Sequence, residues 1–168
     1  MATSGYKDIT VTKNHYIRFS WSLKSQSVAN NTSSVSWNMK LVADAYGYME
    51  SSTAKSWSVT VNGTKYSGTV NITHSPGGTV NLASGTTTIA HNANGTKTFN
   101  YSFTQNISIT YAGSRIESFT GSGSGTLTTI PRASSVSATN CYIGDNTTIT
   151  ISRASSSFTH TLQYKISG

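Results

Sequence analysis

The sequence predicts an all-β protein, an antiparallel β-sandwich, and three observations support this fold class. Charged residues are few, 12 basic and 5 acidic among 168, whereas serine, threonine and asparagine are abundant. The apolar residues are mostly β-branched or aromatic, which suits the half-buried surface of a sheet. Apolar and polar residues alternate in many short segments, as in strands with one buried face. Because good helix formers are scarce, a helical bundle is excluded, and no apolar run is long enough to predict a membrane span.

Two long alternating segments begin the predicted sandwich. At residues 15–23 and 35–43, the odd-numbered positions form an inward row, and the even-numbered positions are mainly polar. A third inward row follows: Trp57, Val59 and Val61. Asn62 and Gly63 then form the strongest short signal for a hairpin, because a type I′ turn needs positive φ at both central residues. The return strand carries Tyr66, Val70 and Ile72.

The rest of the first 130 residues continues the strand pattern. We expect a loop at residues 75–78, a short strand with Val80 and Leu82, a turn at 84–85, and a hairpin loop at 91–95 in which Gly95 suits a left-handed position. Further inward rows are Phe99, Tyr101 and Phe103, and then Ile107, Ile109 and Tyr111. A turn is predicted at 112–114, and one or two strands at 115–130, interrupted by the Gly/Ser run 121–125. About eight or nine strands favour a sandwich, with jelly-roll and immunoglobulin-like topologies both open.

A domain joint is predicted around Pro131, because proline fixes its own φ and pushes the preceding residue to an extended conformation. Residues 1–131 would form the sandwich, and residues 132–168 would begin a second β-sandwich domain. That second segment alternates at Val136 and Ala138, at Ile149 and Ile151, and along the row 158–166. An immunoglobulin-type sandwich needs about 100 residues. The second domain is therefore expected to be incomplete, continuing in a longer chain or completing its sheet on another one.

The titratable residues do not predict an enzyme. The five carboxylates have no local spacing that suggests acid–base catalysis. A glycosidase pair would require folding to join Asp44 or Glu50 with Glu117. There is no nucleophile-elbow motif, and we predict no catalytic residue and no cofactor.

Histidine and cysteine residues do not predict a metal site either. His15 and His160 lie on apolar rows and are expected in the core, whereas His74 and His91 lie near turns and are expected to be exposed. No cysteine and histidine residues have the spacing of a zinc site, and the single Cys141 cannot form an internal disulfide.

The net charge of +7 raises the question of nucleic-acid binding. The basic residues are dispersed over strands and turns, whereas a nucleic-acid interface would cluster them on one face. We therefore expect no nucleic-acid partner. Dispersed lysines protect sheet edges from pairing, and they favour a general attraction to an anionic cell wall.

Exposed aromatic side chains are the best candidates for a sugar-binding site, because sugar rings pack on flat aromatic faces. Trp21, Trp37 and Trp57 all fall on inward rows and are predicted to be core residues. The candidate ligand-binding residues are the remaining tyrosines, including one on a polar strand face and one beside the turn at 112–114, together with polar side chains able to bond sugar hydroxyls. They are Tyr46, Tyr48, Asp44, Asn38, Tyr16 and Tyr111.

Several stretches together resemble tail-tip and tail-fibre structural proteins of long-tailed phages (siphoviruses) of Gram-positive bacteria. They read WSVTVNG at 57–63 with YSG at 66–68, TIAHNANGTKTF at 88–99, and LTTIPRAS at 127–134 with ITISR at 149–153 and SSFTHTL at 156–162. The resemblance implies a virion component of the tail tip or tail fibre that acts in host adhesion. It implies other tail or baseplate proteins and host cell-wall polysaccharide as partners, and it assigns no ligand residues.

Other functions remain open at this stage. A dedicated carbohydrate-binding module would need an exposed aromatic strip. A bacterial adhesin would need an export signal, and the first residues show no apolar segment of that kind. A hydrolase is disfavoured by the scarcity of carboxylates. The uncharged Ser/Thr faces permit close contact between sheets of neighbouring subunits, so a homo-oligomer, for example a trimer, is expected.

Overall fold

The computed structural model describes residues 3–140, 142, 144, 146–153, 161 and 163. In chain order the strands are β1 (Ser4–Thr12), β2 (His15–Ser27), β3 (Thr32–Ala43), β4 (Met49–Glu50), β5 (Lys55–Val61), β6 (Thr64–Val70), β7 (Thr73–His74), β8 (Thr79–Ala90), β9 (Thr98–Tyr111), β10 (Ser114–Thr126), β11 (Ser135–Ala138) and β12 (Ile149–Ser152). The described residues contain no helix, so none of them belongs to a helix that could span a membrane. The predictions for Cys141 and for the row at 158, 160, 162, 164 and 166 lie outside the described residues.

Two four-stranded antiparallel sheets form the sandwich, which confirms the predicted fold class. The first sheet has the order β1-β2-β3-β8, and the second has the order β10-β9-β5-β6. In immunoglobulin domains the second and third strands lie in opposite sheets, whereas β1, β2 and β3 are neighbours in one sheet here. The immunoglobulin-like order therefore does not describe this sandwich.

The predicted inward rows form most of the core between the two sheets, whereas Trp57, predicted to be a core residue, is half-buried and packs against it. Residues 15, 17, 19 and 21 of β2 are buried, as are residues 35, 37, 39, 41 and 43 of β3. They face the row of β9 at residues 99, 101 and 103, and the ring of Phe19 stacks on that of Tyr101 with centroids 4.6 Å apart. On one long side of the sandwich, the Tyr66 hydroxyl of β6 donates to the Thr86 carbonyl of β8 at 3.2 Å. This bond joins the edges of the two sheets.

Glycine lies directly opposite each of six large aromatic residues in the strand pairing. The pairs are Gly5–Trp21, Gly85–Trp37, Gly68–Trp57, Gly125–Phe99, Gly123–Tyr101 and Gly121–Phe103. Each ring lies over the neighbouring backbone, where a Cβ would meet ring atoms; a Cβ at Gly85, for example, would lie 2.5 Å from Trp37 Cζ2. The glycines therefore make room for rings within continuous strands.

This packing corrects two predictions made from glycine alone. Residues 84–85 do not form a turn, since they lie inside β8, and the run 121–125 does not interrupt a strand, since it lies inside the single strand β10. The turn prediction at Asn62 and Gly63 is confirmed by φ values of 48° and 84°, and the left-handed prediction for Gly95 by a φ of 80°.

The chain between the sandwich and β11 packs closely against the sandwich. Leu127 and Ile130 are completely buried, and the Arg132 guanidinium donates to the Val28 carbonyl at 2.8 Å. Among the described strands, β11 and β12 pair only with each other, and they expose Val136, Ile149 and Ile151. The predicted division into domains at residue 131 stays a prediction.

Candidate functional site

The outward face of the first sheet carries a polar surface with an ion pair and two cation–π contacts. Because side chains alternate along a strand, the buried odd-numbered residues of β2 and β3 leave the even-numbered ones pointing outward. Pairing of β1 with β2 sets Asp8 opposite Arg18 and Tyr6 opposite Ser20. Pairing of β2 with β3 sets Ser20 opposite Asn38. The three strands thus bring these side chains onto one face.

Arg18 is the centre of this face. Its Nε and Nη2 donate to the two carboxylate oxygens of Asp8 at 2.8 and 2.7 Å. The guanidinium carbon lies 4.6 Å from the Tyr6 ring centroid and 5.2 Å from the Tyr16 ring centroid. The bond to Asp8 raises the pKa of Arg18 above its already high range. A permanent cation is therefore held between two aromatic rings, in a geometry suited to cation–π attraction.

A shallow depression of about 440 Å³ lies beside this Tyr6–Arg18–Tyr16 stack. Its lining includes hydroxyl and amide side chains: Ser20, Ser22, Ser36 and Asn38. Ser22 and Ser36 are hydrogen-bonded through their hydroxyls at 3.1 Å. The Asn38 amide donates to the Asn81 side-chain oxygen, while the Asn38 side-chain oxygen is buried without a partner among the described residues.

This arrangement has the chemistry of a sugar-contact surface. Tyr6 is 66% exposed and presents a flat aromatic face at the rim. Serine hydroxyls that line the depression, such as those of Ser20 and Ser22, can exchange hydrogen bonds with sugar hydroxyls. Sites of this kind combine aromatic contacts with a few placed polar groups.

The six predicted site residues do not form one cluster. Asn38 lines the depression, and Tyr16 is half-buried beside Arg18. Asp44 and Tyr111 lie near His15 at one end of the sandwich. Tyr46 follows Asp44 and is 83% exposed, with its backbone N–H donating to the Asp44 carboxylate at 2.9 Å.

Tyr48 has a separate partner. Its hydroxyl donates to the Glu50 carboxylate, and this bond raises the pKa of Tyr48.

Sequence reasoning missed Tyr6, Asp8 and Arg18. A usable signal exists in β1, where Tyr6, Asp8 and Thr10 alternate with Ile9 and Val11. That pattern, once paired with β2, would have placed Tyr6 and Asp8 on the same outward face as Arg18.

A second polar cluster lies at the end of the sandwich that contains the β1–β2 turn. His15 and His74 have ring centroids 5.2 Å apart, and the Tyr111 ring meets His15 edge to face at 5.0 Å. Burial, and next the charge of His74, lower the pKa of His15, while Asp44 acts in the opposite direction. The described residues contain no group of three or more His, Cys, Asp or Glu side chains that could hold a metal ion.

Two histidine predictions are wrong. His74 and His91, expected to be exposed, are only 7% and 8% exposed. His74 lies in the β4–β7 strand pair, and His91 is hydrogen-bonded to Ser33 and Gly95 through its two ring nitrogens. The core position predicted for His15 is confirmed, since it is 2% exposed.

Comparison with known proteins supplies one match. A family model described as a siphovirus protein of unknown function matches residues 12–168, so that Tyr6 and Asp8 precede the matched range. No curated protein and no solved structure matches this chain. Since the matched range covers nearly the whole sequence, the chain belongs to this siphovirus protein family.

Proposed function

We propose that this chain is a tail-tip or tail-fibre structural protein that takes part in attaching the virion to the host cell surface. The outward face of the first sheet would be its contact surface. The observation that carries the proposal is the Tyr6–Arg18–Tyr16 stack beside the depression lined by Ser20 and Asn38. Membership of a siphovirus family supports a virion component. The proposed role is binding and scaffolding, without bond-breaking.

The charge and chemistry of this face suit a cell-wall polysaccharide. Tyr6 offers a ring to the C–H face of a sugar, and the serine row offers hydroxyls. Arg18 and the neighbouring outward residue Lys40 can attract acidic groups on the polymer. A single shallow site of this kind binds weakly, whereas several copies in one virion raise the overall affinity through their effective concentration.

The second sheet supports the proposed contacts with other tail proteins and with copies of this chain. Along residues 98–106 of β9 and 118–126 of β10 its outward residues are uncharged, and Thr104 and Thr120 pair through their hydroxyls at 3.1 Å. A face without charges avoids the desolvation cost that charged side chains impose on close contact. We propose this face for docking to tail or baseplate proteins and for assembly into a homo-oligomer such as a trimer.

The alternative is a dedicated carbohydrate-binding module for cell-wall polysaccharide. Such a module needs exposed aromatic side chains, and Tyr6 supplies one on the outward face of the first sheet. Under this alternative the isolated chain would bind strongly without assembly. A comparison of the monomer with the assembled form separates the two functions.

Binding of fluorescently labelled chain to purified cell walls of Gram-positive bacteria tests the proposal. We expect saturable binding that survives high salt, and a roughly tenfold weaker affinity for Tyr6→Ala, since one aromatic contact contributes about 1.4 kcal/mol. Tyr46→Ala is the matched control, because Tyr46 is also an exposed tyrosine but does not line this depression. Equal losses in the two variants, or no binding at all, would remove the first sheet as the contact surface.

A further inference from the structure

Two buried histidine side chains at one end of the sandwich have ring nitrogens without a partner. His15 begins β2 and His74 ends β7, and they are 2% and 7% exposed. The Nε2 atom of each ring is buried and makes no hydrogen bond with any described residue. A buried polar atom without a partner costs about 1–3 kcal/mol. Two such atoms on neighbouring rings therefore point to an occupant that the polypeptide itself does not supply.

The opposite nitrogen of each ring is held by the protein. His74 Nδ1 lies 3.0 Å from the Ser75 carbonyl oxygen, and since a carbonyl only accepts, Nδ1 must carry the proton. With Nδ1 as the donor, Nε2 is the nitrogen whose lone pair is left for a ligand. His15 Nδ1 lies 2.9 Å from the Thr12 hydroxyl, which also accepts the Asn14 N–H at 3.1 Å. In a metal-bound histidine, the ring nitrogen that does not bind the metal usually forms a hydrogen bond to a carbonyl or another fixed oxygen. This bond orients the ring.

The spacing of the rings suits a shared ion. Zinc binds histidine nitrogen at about 2.0–2.1 Å in a tetrahedral arrangement, which places the centres of two ligating rings about 5 Å apart. The observed centroid distance is 5.2 Å.

Gly47 lies against His15 Nε2 with backbone atoms alone. A Cβ at Gly47 would be 3.0 Å from that nitrogen and 2.9 Å from the Asn14 carbonyl oxygen. No side chain at this position competes for the nitrogen.

The surroundings also suit a bound cation. The Asp44 carboxylate is close enough to influence His15 electrostatically, and it would offset part of the charge of a cation. Imidazole nitrogen suits late divalent transition metals such as Zn²⁺.

We propose that His15 and His74 bind one divalent transition-metal ion of the Zn²⁺ type through their Nε2 atoms. Among the described residues no third His, Cys, Asp or Glu joins them, so water completes the coordination. The ion would join the start of β2 to the two-stranded sheet formed by β4 and β7. Sequence spacing gives no sign of this site, because its two ligands lie far apart in the chain. The proposal is independent of the proposed adhesion function.

Metal titration of the intact chain tests this site. After treatment with a chelator, Zn²⁺ should bind with a stoichiometry of one per chain and raise Tm by roughly 5–10 °C at about a hundred times its Kd. Co²⁺ should bind to the same site and give visible absorption bands. His15→Gln and His74→Gln should each abolish both effects, while circular dichroism in chelator shows that they remain folded.

His91→Gln is the matched control, because both ring nitrogens of His91 already have partners, and it should retain the metal response. If neither ion changes Tm or absorption, the site is wrong and buried water satisfies the two nitrogens. If the response persists in both the His15 and His74 variants, the ion binds elsewhere and the proposal is overturned.

Discussion

One end of the sandwich buries one histidine and the other end buries two, and the hydrogen bonding of the ring nitrogens differs between the ends. At one end, His91 Nδ1 donates to the Gly95 carbonyl at 2.7 Å, and Nε2 accepts the Ser33 hydroxyl at 2.7 Å. Gln26 extends this network by donating to the Ser33 hydroxyl and to the Thr128 carbonyl at 3.1 and 2.8 Å. At the other end, Nε2 of His15 and of His74 has no described partner.

The difference separates a structural role from a site with unused binding capacity. Around His91 the bonds join the end of β2, the start of β3, the loop before β9 and the segment that leaves β10. Satisfied buried bonds of this kind hold elements in one arrangement. Around His15 and His74 the same side chain leaves desolvated nitrogens, which native proteins rarely tolerate without a ligand, water or function. The first end is therefore expected to be sensitive to substitution and the second to added ligands.

The largest expected loss of stability is at Gly95, which lies at the end of the sandwich that contains His91. Its φ is 80°, and a Cβ there would collide with the Ile130 carbonyl oxygen. Gly95→Ala should lower the free energy of unfolding by about 2–5 kcal/mol, combining the left-handed penalty with overpacking. Urea unfolding followed by tryptophan fluorescence measures this change.

Gly113→Ala is the matched control for that substitution. Gly113 also has a left-handed φ, 78°, but a Cβ there would meet nothing within 4 Å. It should lose only about 1–2 kcal/mol. Equal losses at the two positions would show that the contact between Gly95 and residue 130 does not stabilise this end.

A second, smaller effect contrasts the two kinds of histidine directly. His91→Leu removes two hydrogen bonds and should destabilise the protein by about 2 kcal/mol in chelator. His74→Leu removes one bond, and the Ser75 carbonyl keeps the Gly78 N–H at 2.9 Å. Since it also removes an unsatisfied nitrogen, it should cost less than about 1 kcal/mol. Urea unfolding midpoints at pH 8 measure both losses of stability. A larger loss of stability for His74→Leu than for His91→Leu would contradict the comparison.

The sandwich and its inward rows were predictable because alternation reports burial directly. The predicted rows that contain Trp21 and Trp37 are buried in the core, and Asn62 and Gly63 form a turn as predicted. The continuous strands β8 and β10 were not predictable from glycine as a turn signal. Their glycines at 85 and 121–125 are explained only by aromatic rings on the neighbouring strand.

The candidate sites were only partly predictable, because each is assembled by strand pairing. Tyr16 and Asn38 were selected as candidates, but Arg18 joins Asp8 and Tyr6 only once β1 is placed beside β2. The buried position of His74 depends on its pairing with Met49 in β4, which no local pattern of two residues reveals. Periodicity gives the face of a side chain, and pairing of distant strands gives its neighbours.

The smallest effect is a pH dependence that should belong to the His15 end in metal-free buffer. An unperturbed imidazole has a pKa of about 6.5, and burial followed by the charge of His74 lowers the pKa of His15 in the folded protein. Between these two values the unfolded chain binds the proton and the folded chain does not. Stability should therefore be complete above about pH 6.5 and decrease as pH falls towards the folded pKa, by up to about 1.4 kcal/mol per pH unit.

Urea unfolding between pH 8 and pH 5 with chelator, in wild type and His15→Gln, isolates this contribution. The variant should lose less stability on acidification than the wild type, because glutamine cannot take up the proton. The carboxylates titrate in both proteins, so their contribution cancels in the difference between the two pH profiles. Parallel profiles would mean that the protonation of His15 is not coupled to folding. The contrast between the two ends would then rest on hydrogen bonding alone.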